Sequence, residues 1–437
     1  MLLELTIGNF RSIRDDVSLS LLASSLKAGD PSLNENNVFK TTGGPKTLRT
    51  AVIYGANASG KSNLVQAIAH ALWMILHSAG DSQQGAELPM QPFLLDAESS
   101  DEPTFIEFVV HHEGTQYRYG FEATSERIHR EWLSYIPPGK RKERELFQRE
   151  SDDYKIAPGF AEGEKFKEVT RPNALLLSAC AKWAGPVSSE VITAISQVRI
   201  GTGLNDAGMM EFTVGMAEDQ EKRTIIRKYL RHFDLGFDDF SVERKSIKRD
   251  DLPTSLPDEV VNVLLMDHYN VSTIHQIYDD SENPIGQRTL DLARHESAGT
   301  QRLFALAAPI ITTLLTGSTL IIDEFDARIH ANISRRLIEI FQSPTLNPKG
   351  AQLIALTHDT NLLSKDLLRR DQIWFLEKDA REQSILYSLA EFRKRDGKPE
   401  RNDASYEPRY IKGRYGAVPK ILDSSELAQA LFPDEDT

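Results

Sequence analysis

Residues 50–62 read TAVIYGANASGKS, and this stretch decides the fold. A short apolar run, Ala51-Val52-Ile53-Tyr54, gives way to a glycine-bounded loop that ends on Lys61-Ser62. Gly55, Gly60, Lys61 and Ser62 satisfy the spacing G-x-x-x-x-G-K-[ST]. Two glycines let a loop fold around a phosphate with no Cβ in the way, so that successive backbone N–H groups point inward. The helix that follows adds the positive end of its dipole. Lys61 would reach the β- and γ-phosphates, and Ser62 would offer its hydroxyl to Mg2+. The context fits, because Leu64, Ile68, Leu72 and Ile75 fall on one helical face after the loop. The whole loop, Gly55-Ala56-Asn57-Ala58-Ser59-Gly60-Lys61-Ser62-Asn63, is therefore expected to bind a nucleotide.

A phosphate loop alone hydrolyses nothing. Hydrolysis needs a second contact to the Mg2+ shell and a group that orients water. Leu320-Ile321-Ile322-Asp323-Glu324 supplies both. Such an apolar strand delivers Asp323 beside the phosphate loop, at the carboxyl end of a parallel sheet, where ligands of these sheets bind. Asp323 would hold the Mg2+ shell and Glu324 would polarise the attacking water. A glutamate adjacent to the aspartate belongs with ATPases, so ATP and Mg2+ are the expected ligands.

Composition sets the bounds. The chain has 437 residues, enough for two or three domains, and its 40% hydrophobic content fills real cores. The net charge of −13 argues against a basic-coated protein and confines any nucleic-acid contact to a local patch. A single cysteine, Cys180, makes neither an intrachain disulfide nor a cysteine-built zinc site, which fits a reducing cytoplasm. No signal peptide is visible, since MLLELTIGNF carries Glu4 early. Residues 303–322 approach the length of a membrane span, but Pro309, Gly317 and the closing Asp323-Glu324 favour a helix followed by a buried strand. No membrane contact is expected.

Along the chain, residues 1–22 alternate as strand, turn, strand, and 24–49 read as a loop. Residues 104–111, 116–122 and 128–136 alternate as antiparallel strands with one wet face. The pattern turns helical over 173–235, most clearly at 218–233, and 240–290 returns to short strands between charged loops such as 248–251. Residues 332–341 read as helix; 351–357, 371–377 and 384–389 read as strands. The tail over 393–420 is basic and aromatic, which leaves a DNA contact open.

The motifs taken together resemble a family. Asn9-Phe10-Arg11-Ser12, the loop at 55–63, Gln91-Pro92-Phe93, Glu296-Ser297-Ala298-Gly299-Thr300, residues 320–326 and Leu356-Thr357-His358 come in the order of the ABC/SMC/RecF-type ATPases. More closely, the chain resembles the RloA-like ATP-binding proteins of bacterial abortive-infection loci, a likeness that extends to residues 409–419. The resemblance implies that Ser297 and Gly299 belong to a signature segment reaching across a dimer to the partner's γ-phosphate. It implies that Asp326 lies in the loop between two active sites, that His358 senses γ-phosphate and that Gln91 touches Mg2+ and water. It brings Arg11 toward the nucleotide. The signature reads ESAGTQ rather than LSGGQ, and His330-Ala331 replaces the His-Pro of close relatives. There are no sustained heptads for an SMC-type coiled coil. No acidic cluster of a Toprim nuclease, as in the overcoming-lysogenization-defect nucleases, follows residue 390.

The expectation is an α/β P-loop NTPase with an ABC-ATPase-like head. That head has a mixed sheet flanked by helices and an antiparallel β subdomain, with a helical insertion. Residues 1–140 and 291–437 would form the head and 141–290 a mainly helical lid. The catalytic set would be Glu324, His358 and Lys61, with Ser62, Asp323 and Gln91 at the metal. The chain would act in the cytoplasm as an ATP-dependent homodimer or higher homo-oligomer that controls a separately encoded effector, a nuclease, in anti-phage defence. A RecF-like DNA-binding repair ATPase is the alternative.

Overall fold

The structure is a computed structural model. It describes all residues except 27, 29, 42, 81, 82, 84, 202–205, 246–267, 394–399, 402, 403, 420–423, 425–430 and 432–437. The charged loop at 248–251 and part of the basic tail lie outside the described residues.

The chain opens with the hairpin β1 (Leu2–Gly8) and β2 (Val17–Ser20). A small pair, β3 (Val38–Lys40) and β4 (Lys46–Leu48), precedes the phosphate-loop strand β5 (Thr50–Tyr54). A meander follows: β6 (Thr104–His112), β7 (Thr115–Ala123), β8 (Ile128–Ile136), β9 (Arg144–Glu150) and β10 (Asp153–Ile156). Next come β11 (Val198–Gly201) and then β12 (Asp239–Lys245), β13 (His268–Tyr278) and β14 (Pro284–Asp291). The last four are β15 (Thr319–Ile322), β16 (Gln352–Thr357), β17 (Ile373–Lys378) and β18 (Ser384–Ser388).

These strands form two main sheets. The six-stranded sheet has the order β11-β15-β16-β5-β17-β18 and is parallel apart from β18. Every residue of β5, β15 and β16 is buried, as a parallel sheet covered on both faces requires. The seven-stranded sheet has the order β10-β9-β8-β7-β6-β1-β2 and is antiparallel throughout. The helix Lys61–His77 fills the space between them: Leu64, Ile68 and Ile75 share one core with Ile53 of β5 and with Phe108 and Tyr119 of the antiparallel sheet. The helix Ala298–Thr316 lies in a second core with Leu320, Leu337 and Phe341. It is long and apolar enough to cross a membrane, but its inward residues, from Leu303 to Ile310, are buried inside the protein. This is the mixed α/β P-loop architecture with an antiparallel β subdomain that the motifs predict.

Two expectations are corrected. Residues 24–49 are not simply loop: the helix Pro31–Asn37 starts on Asp30, whose side chain accepts from the Ser32 N–H, with proline in the first turn. The described residues of 141–290 are not mainly helical. Helices at Ala161–Phe166, Leu176–Lys182, Pro186–Ser196, Ala207–Ala217 and Gln220–Arg231 share this stretch with six strands. β9 and β10 extend the antiparallel sheet because Leu146 and Phe147 have a buried place beside β8. β11 lengthens the parallel sheet beside β15. These short strands carry a period-2 signal too brief to stand out between charged turns.

Candidate functional site

The carboxyl ends of β15, β16, β5 and β17 lie at one edge of the parallel sheet, so Asp323-Glu324, His358, the phosphate loop and Lys378 emerge together. Residues 57–63, Glu324, His358 and Lys378 line one cavity of about 450 Å³. Three of the strands that supply it lie about 260 to 320 residues from the loop in sequence but are its neighbours in space.

The loop itself is built for an anion. Ala58 and Gly60 take left-handed φ values of 62° and 105°, which turns the backbone N–H groups inward. Glycine is required at Gly60, where a Cβ would come within 2.2 Å of Ser384 Oγ and 2.7 Å of Ser12 Oγ. Gly60 also caps the following helix with no side-chain acceptor, which leaves the first helical N–H groups for a ligand. The Lys61 ammonium is buried and donates to the carbonyls of Gly55 and Ala56 at 2.7 and 3.2 Å. Burial pulls its pKa below the usual lysine value, against the opposing pull of Glu324, Asp323 and Asp326. Ser59 Oγ is buried without a hydrogen-bond partner beside the cavity. An orphaned hydroxyl, a cradle that a Cβ would fill and a cation satisfied only by its own loop all fit a polyphosphate. The buried Asp323 carboxylate and the exposed Ser62 hydroxyl are the hard oxygen donors that suit Mg2+.

Across the cavity, Asp323 is buried at the end of β15, and its Oδ1 accepts the Glu324 N–H at 3.0 Å. Glu324 takes a left-handed φ of 50°, an uncommon conformation for a glutamate. The Phe325 N–H then bonds to the Leu356 carbonyl at 2.9 Å, which ties this turn to the end of β16. Asp326 Oδ1 accepts from Thr357 Oγ1 at 2.5 Å and from the His358 N–H at 3.2 Å. Asp326 thereby fixes the backbone that presents His358. Partial burial and the nearby Lys61 charge lower the His358 pKa below the usual histidine value, against the opposing pull of Glu324, Asp326 and Asp323.

The Asn9-Phe10-Arg11-Ser12 turn buttresses the loop from behind. Asn63 Nδ2 donates to Ser12 Oγ at 2.7 Å. Ser384 Oγ lies 2.8 Å from Ser12 Oγ and donates to the Ser59 carbonyl at 2.8 Å. Asn9 holds residues 91–93 in place, since its Oδ1 accepts the Phe93 N–H at 2.9 Å. Arg11 Nε donates to Gln91 Oε1 at 2.7 Å, and Arg11 Nη1 bonds to Gln66 on the phosphate-loop helix. Arg11 and Gln91 are thus brought together, but neither lines the cavity.

Ser297 and Gly299 do not line it either. Ser297 caps the helix Ala298–Thr316, accepting the Thr300 N–H at 3.1 Å. Gly299 packs so closely on the loop after Glu324 that a Cβ would lie 2.6 Å from the Arg328 carbonyl. Glu296 anchors this segment to the three-stranded sheet, accepting from Thr273 Oγ1 at 2.6 Å and His275 Nε2 at 2.8 Å. Sequence reasoning missed Lys378, Gln66 and Ser384. Only the antiparallel return of β18 on β17 brings Ser384 to the loop, and no local spacing announces it.

No curated protein matches the chain. Among solved structures it is similar to the SMC head domain from Thermotoga maritima, at 14% identity and a TM-score of 0.40, over 89% of this chain and 98% of that one. It is similar also to the Smc head domain from Pyrococcus furiosus bound to the C-terminal domain of ScpA, at 13% identity and a TM-score of 0.35, over 89% and 96%. A third is the recombination mediator protein RecF with ATP, at 12% identity and a TM-score of 0.36, over 89% and 99%. Residues 51–364 match the family described as "AAA domain, putative AbiEii toxin, Type IV TA system", a span that runs from the phosphate-loop strand past His358. The chain belongs to that family of P-loop ATPases.

Proposed function

We propose that the chain is a cytoplasmic ATP hydrolase whose nucleotide site is completed by a second copy, and that ATP-driven pairing switches a separately encoded effector in anti-phage defence. One observation carries the catalytic part: Lys61, Glu324 and His358, from three strands remote in sequence, line a single cavity. Lys61 neutralises β- and γ-phosphate charge while the loop N–H groups hold the phosphates. Glu324 accepts a proton from the attacking water, and His358, its backbone held by Asp326, orients toward the terminal phosphate. Ser62 and Asp323 would hold a Mg2+ ion, which would supply positive charge to offset that of the phosphates.

The pairing part is supported by what the cavity lacks. Ser297 and Gly299 open a helix whose N-terminus suits an anion, yet they stand outside the cavity of their own chain. A second copy supplies them. The defence role is supported by the family's description as a toxin–antitoxin domain. Phosphate release tests the enzyme reading. Wild type should release phosphate from ATP, and Glu324→Gln should slow release by about 10² to 10⁴, the range for a lost general base. No release by wild type, or equal release by the variant, would overturn it.

A further inference from the structure

Two ammonium groups line the cavity, Lys61 and Lys378, and only the first belongs to a motif. Lys378 ends β17, which pairs with β5 on the side away from β16. Phe375 stands level with Tyr54, the last residue of β5, so β17 runs three residues past the start of the phosphate loop. Alternation sets the face. Phe375 packs into the core with Tyr410 and Tyr415, and Glu377 on the same face accepts from the Ala417 N–H at 2.7 Å. Leu376 packs instead with Leu64 and Ile68 beneath the phosphate loop, and Lys378 shares its face. Directly across the hairpin from Lys378 sits Ser384, whose hydroxyl bonds to the Ser59 carbonyl. Strand pairing, rather than side-chain freedom, therefore sets Lys378 beside the loop. Its one ion pair among the described residues joins the half-buried lysine to the exposed Glu382 at 3.5 Å in the β17–β18 turn and is easily exchanged.

The order of strands says which part of a nucleotide Lys378 meets. Glu324 and His358 follow β15 and β16, on one flank of the phosphate loop, and define the γ-phosphate end. Lys378 stands on the opposite flank. Building on the ATP-binding reading above, we propose that Lys378 is a second phosphate-binding cation, directed at the α/β end of the nucleotide that ATP and ADP share. It is a binding residue, distinct from the hydrolytic groups across the loop.

Calorimetric titration of the full chain with ATP and with ADP tests this. Lys378→Met keeps the aliphatic stem and removes the charge. It should weaken ATP and ADP alike by about tenfold, the low end for a hydrogen bond between charged groups. Lys378→Arg should restore most of the affinity, and Glu382→Gln should cost none. Unchanged affinity in Lys378→Met, or a loss confined to ATP, overturns the proposal, the latter because it moves Lys378 to the γ end. An equal loss that Lys378→Arg fails to restore also overturns it, since the charge is then not what matters. Failure of wild type to bind either nucleotide would instead refute the ATP-binding reading itself.

Discussion

Lys61 shows how one residue serves two states. Its ammonium is buried against the Gly55 and Ala56 carbonyls, and burial disfavours its charge. A triphosphate would replace weak carbonyl acceptors with charged ones, a stronger class of hydrogen bond. Lys61→Ala should therefore abolish measurable ATP binding in the same titration while leaving the thermal transition of the empty protein within a few degrees of wild type, because the lost bonds are local to the loop. Unchanged ATP affinity would contradict the position assigned to the phosphates. Residues of this kind were legible in the sequence. Gly60, Lys61, Asp323 and Glu324 announce themselves because their chemistry demands a fixed local spacing. Lys378 and Ser384 were not, because their role arises only when β18 folds back on β17 and sets both beside the loop.

At the scale of elements, a polar contact fastens the helix Leu176–Lys182 to the antiparallel sheet. Glu131 of β8 is fully buried, and its carboxylate accepts the Leu176 and Leu177 N–H groups at 2.8 and 3.0 Å, where a helix begins. Tyr119 Oη donates to it at 2.9 Å, and Arg149 of β9, equally buried, lies 3.5 Å away. Burial alone pushes the Glu131 pKa up, and the Arg149 charge, the helix N–H groups and the tyrosine oppose that push. Burial prevails, so the Glu131 pKa stands above the usual carboxylate value while its oxygens accept at the helix start. Arg149→Met leaves that carboxylate buried without its guanidinium. Urea unfolding should report a loss of about 3–5 kcal/mol, the usual cost of breaking one side of a buried pair. A loss under about 1 kcal/mol would mean that the helix N–H groups suffice. The sequence did not reveal this contact: Glu131 sits in a strand whose alternation predicts a wet face, Arg149 sits in the short β9, and the helix that covers them comes later in the chain. The strands of the meander were legible from alternation over nine residues. β9, β10 and β11 were not, because seven residues or fewer between charged turns carry too little period to read.

At the scale of the whole molecule, the proposed shared site gives one chain half of what catalysis needs. Ser297 and Gly299 stand outside the cavity, braced by the three-stranded sheet through Glu296 and packed on the Arg328 loop that follows Glu324. The signature segment and the turn after Glu324 are packed together, so that on the proposed reading closing one site across a pair would set the other. ATP shifts such an equilibrium only through its higher affinity for the paired state. A variant that binds ATP but does not hydrolyse it should hold that state. The direct measurement is the solution mass of Glu324→Gln by light scattering, with and without ATP and Mg2+. A shared site predicts the mass of one chain without nucleotide and of at least two with it, with the increase abolished by adding Ser297→Arg. A single-chain mass at saturating ATP would contradict it.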